Sequence, residues 1–268
     1  MSSPGRSKQT SKMQKILTKK TRYGIIFIMN RDIFLNGLKQ LNIEITDGAL
    51  EKFAEYSRLL KEWNEKLNLT AITDDEGISV KHFLDSALPL GFIRAEKGAK
   101  IIDVGTGAGF PGLPIKILRE DVDLTLVDSL NKRVNFLNAV KDELGLENVS
   151  CIHARAEELG RKPGYREAYD LAVSRAVANM TVLCEYCLPY VKVGGKFIAL
   201  KAENVEEELD QAKPTIGNLG GRVADTIAAK LPCSDIVRKL VVIEKIKSTP
   251  PAYPRNAKKI NKNKINKK

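Results

Sequence analysis

The residues best placed to do chemistry are DVGTGAGFPG, Asp103 to Gly112, at the end of the apolar run KIIDVG. Gly105, Gly107 and Gly109 let the backbone turn tightly and approach a ligand without Cβ clashes, and the helix that follows offers free N–H groups. Two frames fit this loop. Gly107, Gly109 and Gly112 match the G-x-G-x-x-G spacing of a dinucleotide site, which would suit an NAD enzyme. That frame leaves Asp103 and Gly105 inside the strand, a poor place for either. The frame D-x-G-x-G-x-G ends the strand at Asp103 and sets its carboxylate at the C-terminal edge of the sheet, where ligands bind. An acid there suits the cationic end of S-adenosylmethionine, directly or through water, and carries the wrong charge for a pyrophosphate.

Asp128 supports a ribose-bearing ligand in either frame. It ends the next strand, 19 residues after Gly109, where a carboxylate can accept both ribose hydroxyls. The plainer reading of Asp128 is an N-cap for the helix SLNKRV. Glu157, in HARAEEL, follows the third strand at the place where an adenine edge would lie; periodicity alone makes it a solvated helix N-terminus. Cys184 and Cys187 form a C-x-x-C, but the chain has only two His, at 82 and 153, and no second ligand pair, so no metal is expected. The CEYC sits in the apolar helical run MTVLCEYCLPY, where cysteine behaves as a small hydrophobe. Reduced thiols point to a reducing compartment, with the cytoplasm expected.

These groups need elements to hold them. From Thr46 or Asp47 a helix is predicted, with Leu50, Phe53, Leu60, Trp63 and Leu67 at helical spacing. Asn68 to Gly77 reads as a loop and ISVKHFLDSALPL as two short helical pieces, so residues 29–98 form a helical N-terminal layer. From Lys100 strands alternate with helices: KIIDVG, VDLTLVD, NVSCIHA, YDLAVSR and GGKFIALK, with RVADTIAA and DIVRKLVVIEKI close enough to pair antiparallel. The fold class is therefore α/β: a mostly parallel sheet over residues 99–246, both faces covered, with an antiparallel edge.

Charge sorts the remainder of the chain. The 268 residues carry 44 Lys+Arg against 33 Asp+Glu, a formal net charge of +11. Residues 1–31 hold eight basic side chains and no acid, and residues 247–268 hold eight more, again with no acid. Without those sixteen the body has 28 basic against 33 acidic side chains, a net charge of −5. Like-charge ends of this kind stay disordered and act as arms for nucleic acid, or simply as solvated tails. Residues 1–28 are read as a disordered basic extension, from a translation start assigned too early, a flexible arm or a transit peptide, the first being favoured. Residues 247–268 are read as a basic C-terminal tail. No segment approaches the roughly 20 apolar residues of a spanning helix, so a soluble protein with no membrane partner is expected.

Seven short motifs, in this order, resemble the RsmG or GidB methyltransferases: NLTAI (68–72), HFLDS (82–86), DVGTGAGFPGLP (103–114), VDSLNKRVNFL (127–137), RAEE (155–158), SRAVA (174–178) and YPR (253–255). The resemblance covers about Met29 to Arg255. It implies a class I, Rossmann-like S-adenosylmethionine-dependent enzyme that methylates guanine N7 in an unpaired loop of 16S ribosomal RNA. The RNA would be met free or within a small ribosomal subunit precursor, by a monomer.

By the same resemblance the cofactor would meet Gly105, Gly107 and Phe110 on the first turn, with Ala156 and Glu157 at the adenine and Arg175 completing the site. Asp103 and Asp128 fill the roles argued above. Asn68, Thr70, His82 and Asp85 would close over the methyl-transfer cleft. Arg175, His82, Asp85 and Asn68 are thus the candidates for the transfer itself, Arg175 donating to the cofactor or to guanine O6. His82 is equally readable as a packing residue with a satisfied N–H. After YPR the chain reads NAKKINKNKINKK, cationic but without the family's Gly/Pro turns. Two rivals stay open on sequence: a small-molecule methyltransferase with the same cofactor site, and a non-catalytic RNA-binding, ribosome-associated protein.

Overall fold

The computed structural model describes residues 29–175 and 177–260; the expected extension 1–28 and the last eight residues of the basic tail lie outside the described residues. Asn30 accepts a hydrogen bond from Ile33 N (3.2 Å) and opens α1, Arg31–Gln40. Thr46 accepts from Ala49 N (3.2 Å) and opens α2, Asp47–Leu67, as its capping hydroxyl predicts. Helix α2 stops where Asn68 turns left-handed at φ 49°. The next helical run is continuous, whereas two pieces were expected. It starts as a turn at Asp75–Gly77, widens to a π-helix over Ile78–Leu84 and closes as α3, Asp85–Phe92. Ile78, Phe83, Leu84, Ala87 and Leu88 are all fully buried, so this run carries no polar face to mark its period.

An aromatic cluster fixes this layer to the sheet domain. Phe34, Phe53 and Phe83 meet with ring centroids 4.7 and 4.9 Å apart, and Tyr56 stacks at 5.4 Å on Phe110 of the glycine-rich loop.

The sheet begins with β1, Lys100–Val104, and α4, Gly112–Leu118. Then come β2, Asp123–Asp128, with α5, Asn131–Glu143, and β3, Val149–His153, with α6, Ala156–Leu159. Strand β4, Tyr169–Arg175, leads to α7, Met180–Cys187, which ends before Pro189 in a 3-10 turn at Leu188–Tyr190. Strand β5 covers Val191–Ala202, α8 Glu206–Asn218, β6 Gly221–Lys230 and β7 Val237–Lys245. The order is β3-β2-β1-β4-β5-β7-β6. Strands β1 to β5 pair in parallel, and β7 and β6 add the expected antiparallel edge. Strand order reverses between β1 and β4, and α/β sheets bind ligands at the carboxyl ends of such strands. Cys184 and Cys187 are fully buried in the core under α7, and that burial pushes both thiols up.

The first part of the C-terminal basic segment is packed against the body, contrary to the tail expected there. Arg166 donates to Thr249 O (2.6 Å) and Tyr253 O (2.7 Å), and Ile260 is buried. Arg255 reaches the fully buried Glu185 with Nη2 2.6 Å from Oε2. A buried carboxylate needs such a partner, and local charge composition does not reveal it. Among the described residues no helix is long and apolar enough to cross a membrane.

Candidate functional site

At the carboxyl end of β1 the chain turns back beside β2, with Gly105 N and Thr106 N both donating to Val127 O, at 2.9 and 3.1 Å. Gly107 takes φ +62°, donates its N–H to Asp128 Oδ2 (3.0 Å), and faces open space where a Cβ would stand. That open space is one end of a cleft of about 400 Å³, within the range of small-molecule sites. Gly105, Gly107, Phe110, Asp128, Ala156, Glu157, Arg175 and His82 all line it, so eight residues singled out from the sequence converge here.

Asp128 closes the turn into α5 and also lines the cleft. Its Oδ1 accepts from Leu130 N (2.9 Å), closing the turn into α5, where Leu130 has no capping side chain of its own. Its Oδ2 takes Gly107 N and lies 3.3 Å from Arg133 Nη1. The carboxylate lines the cleft, only 3% exposed, and its Oδ1 keeps acceptor capacity for a further donor. Glu157 is buried on the cleft wall and is not the solvated helix start that periodicity suggested. The Tyr190 hydroxyl holds the neighbouring Ala156 carbonyl at 2.7 Å.

Three expected residues stand elsewhere. Asp103 sits at the end of β1, but its carboxylate is turned under the loop, fully buried and outside the cleft lining. Its Oδ2 accepts from Thr106 Oγ1 (2.7 Å) and Gly112 N (2.8 Å), while Oδ1 has no partner among the described residues. Burial pushes this carboxyl up to about 7, a rise those two hydrogen bonds offset only in part. Asp103 therefore organises the loop from beneath. Asp85 is likewise behind the cleft, 2% exposed, accepting from Arg175 Nη1 (2.9 Å) and Arg238 Nε (2.8 Å). Asn68 is the exposed cap of α2, and its neighbours Leu69 and Thr70 reach the cleft instead.

Part of the cleft lining is a stacked assembly. The His82 ring lies on Phe110 at 4.5 Å and 13°, and the Arg175 guanidinium sits 5.0 Å over the same Phe110 ring. Arg175 Nη1 also donates to Lys81 O (3.0 Å), and Nη2 is 3.3 Å from His82 Nδ1. Burial, with the Arg175 charge adding to it, lowers His82 to about 3, so its ring is neutral at physiological pH. His82 is thus packed and hydrogen-bonded, and also part of the cleft surface. Tyr56, fully buried in α2, donates to Ala108 O and ties the helical layer to the loop.

Sequence reasoning missed Arg133, Tyr186 and Arg238. Arg133 was within reach, five residues after Asp128 on the first turn of α5. Tyr186 is the half-buried residue between two fully buried cysteines. No local signal marks Arg238, which lies 153 positions from Asp85. Among the described residues no group of three or more His, Cys, Asp or Glu is placed to hold a metal.

The donors and acceptors of the cleft fit S-adenosylmethionine: an open backbone turn at Gly107, a buried carboxylate at Asp128, and the Phe110 ring with Arg175 over it. A family model described as GidB, rRNA small subunit methyltransferase G, matches residues 49–237. The ribosomal RNA small subunit methyltransferase G of Clostridium perfringens (strain 13 / Type A) is 52% identical over 231 residues, 86% of this chain and 97% of that protein. The protein of the same name from Alkaliphilus oremlandii (strain OhILAs) is 50% identical over 235 residues, 88% of this chain and 98% of that protein. Among solved structures, a chain from the Haloferax volcanii Trm112 methyltransferase activator complex superposes with a TM-score of 0.51 at 14% identity. That match covers 70% of this chain and 98% of the other, a likeness of fold.

Proposed function

Because this chain belongs to the GidB family of rRNA small subunit methyltransferases G, we propose that it methylates N7 of a guanine in an unpaired loop of 16S ribosomal RNA. The observation that carries the reading is the 52% identity to a ribosomal RNA small subunit methyltransferase G across 97% of that protein's length. S-adenosylmethionine supplies the methyl group on a cationic sulfur; the N7 lone pair forms the new N–C bond as the C–S bond breaks and sulfur keeps the electron pair.

In this reading Gly105 and Gly107 give the cofactor its backbone cradle, Asp128 takes the ribose hydroxyls, and Ala156 and Glu157 border the adenine. Asp103 holds the cradle from below. Phe110 and Arg175 separate the cofactor end of the cleft from the base end, where His82 lines the wall. Asp85 positions Arg175, and Asn68 ends α2 so that the next residues reach the cleft. N7 carries no proton, so the reaction needs no general base, which agrees with a neutral, stacked His82. Alignment of the base and exclusion of water supply the acceleration.

The major groove of A-form RNA is too deep and narrow for side chains to reach N7, so the target base is unpaired. The basic ends flank an acidic body and would grip neighbouring phosphates, so binding weakens steeply with salt. The RNA is met free or in a small-subunit precursor, in the cytoplasm, by a monomer. The test supplies the protein with isotope-labelled S-adenosylmethionine and small-subunit RNA lacking base methylation, then maps the label. Label on guanine N7 supports the reading. No cofactor binding by calorimetry, or label only on small molecules, overturns it.

A further inference from the structure

We propose that Thr70 donates its hydroxyl hydrogen to O6 of the target guanine, making it the residue that selects guanine over adenine. The inference rests on the guanine-N7 reading above and adds to it a named contact and its direction.

One hydrogen-bonded chain runs from Arg175 through His82 to Thr70. The Arg175 guanidinium has only donors, so His82 Nδ1, 3.3 Å from Nη2, is the acceptor of that contact. A neutral ring that accepts at Nδ1 carries its proton at Nε2. Nε2 lies 2.8 Å from Thr70 Oγ1, so His82 donates there. Ile72 N donates into the same oxygen at 3.0 Å. Both lone pairs of the Thr70 hydroxyl are then occupied, and its own hydrogen must be given to something else. Thr70 lines the cleft on the wall it shares with His82, Phe110 and Arg175. The hydroxyl hydrogen is thus offered to whatever stands beside that wall.

The edge of guanine that presents N7 also presents O6, and both are acceptors. Adenine shows an amino donor in place of O6. A hydroxyl whose acceptor sites are full cannot receive that amino hydrogen, so adenine meets a donor facing a donor. Guanine satisfies the hydroxyl. Selectivity of this kind, where a buried polar group is left unpaired by the wrong substrate, is stronger than shape alone provides. The chain of contacts also explains why Arg175 is held so firmly: its direction sets the tautomer of His82, and that tautomer sets which way Thr70 donates.

The test compares RNA carrying guanine at the target position with RNA carrying 2-aminopurine, which keeps N7 and lacks O6. The wild-type protein should prefer guanine by roughly ten- to a hundredfold in kcat/KM. Thr70→Val should reduce kcat/KM on guanine to about the 2-aminopurine level and abolish the preference; Thr70→Ser should restore it. Affinity for S-adenosylmethionine should stay within about twofold in both variants, since Thr70 faces the base. Nitrogen-15 resonances of the neutral His82 ring should report the proton on Nε2. A guanine preference that survives in Thr70→Val, or a His82 proton found on Nδ1, overturns this inference alone. A wild-type protein that methylates neither RNA overturns the guanine-N7 reading, and the inference with it.

Discussion

Replacing Asp103 with asparagine should change the slope of folding stability with pH. Burial raises this carboxyl from its ordinary 3.8 to about 7, so the folded state favours the neutral acid. At about 1.4 kcal/mol for each tenfold change in proton affinity, that rise amounts to about 4 kcal/mol. The sign follows from proton counting. Between about pH 4 and pH 7 the folded state holds a proton that the unfolded chain has released, so stability falls as pH rises through that window. The asparagine of the Asp103→Asn variant would place its oxygen where Thr106 and Gly112 donate and its amide where Oδ1 now stands unpartnered, and it does not ionise. The stability of Asp103→Asn relative to wild type should therefore rise by about 4 kcal/mol from about pH 4 to about pH 8.

His82 works in the opposite direction. Held neutral at about 3 against an ordinary 6.5, it contributes stability that is complete above 6.5 and is lost as pH falls towards about 3. In the wild type these two slopes oppose each other between about pH 4 and 6.5, and the variant uncovers the rising one. Urea unfolding from about pH 4.5 to 8.5, followed by circular dichroism and by the fluorescence of the single tryptophan, reads the difference directly. A difference between the two proteins that stays constant within about 1 kcal/mol over that range refutes the reasoning.

Gly109→Ala would put a Cβ at φ +98° against the Leu113 side chain and 2.7 Å from the Tyr56 hydroxyl. A loss of roughly 2–4 kcal/mol and a lower Tm should follow, and an unchanged Tm contradicts the packing argument. Asp128→Ala removes the acceptor of Gly107 N and Leu130 N as well as the proposed ribose contacts, so the Kd for S-adenosylmethionine should rise at least about tenfold by calorimetry. An unaltered Kd would remove Asp128 from the cofactor site. Arg255→Ala leaves the fully buried Glu185 carboxylate without its guanidinium and should destabilise the fold by roughly 3–5 kcal/mol in chemical unfolding. If stability is unaffected, the segment after β7 is not an integral part of the fold.

What was legible in the sequence was what local chemistry encodes. A strand ending in glycines, an acid at the end of the next strand and a threonine before an amphipathic run each act within a few residues, and each stands where its pattern predicted. Direction within a site was not legible. The register of β1 puts Asp103 opposite Leu126 and Val173, but no pattern says whether its carboxylate rises into the cleft or turns under the loop. Long-range pairing was equally hidden. Asp85 meets Arg175 and Arg238 from 90 and 153 positions away, and Tyr56 reaches the Ala108 carbonyl across 52. The basic segment after β7 misled because composition records charge and not the buried acid that charge answers.

The π-helical stretch shows how the helical layer and the sheet make one site. In an α-helix the Lys81 carbonyl would receive Asp85 N. Here Asp85 N bonds to Val80 O and His82 O instead, and Lys81 O receives Arg175 Nη1 at 3.0 Å. The same wide turn brings His82 to Phe110 while Asp85, three residues on, grips the other side of Arg175. A regular helix of the same sequence would return the Lys81 carbonyl to its own ladder and rotate His82 and Asp85 relative to each other by part of a turn. Arg175 would then keep its strand position at the end of β4 but lose the contacts that aim it. The irregularity in the helix is therefore the means by which His82 of the π-helix and Arg175 of β4 share one cleft wall, with Asp85 and Arg238 of β7 bracing Arg175 from behind, consistent with the tendency of π-segments to occur at functional sites.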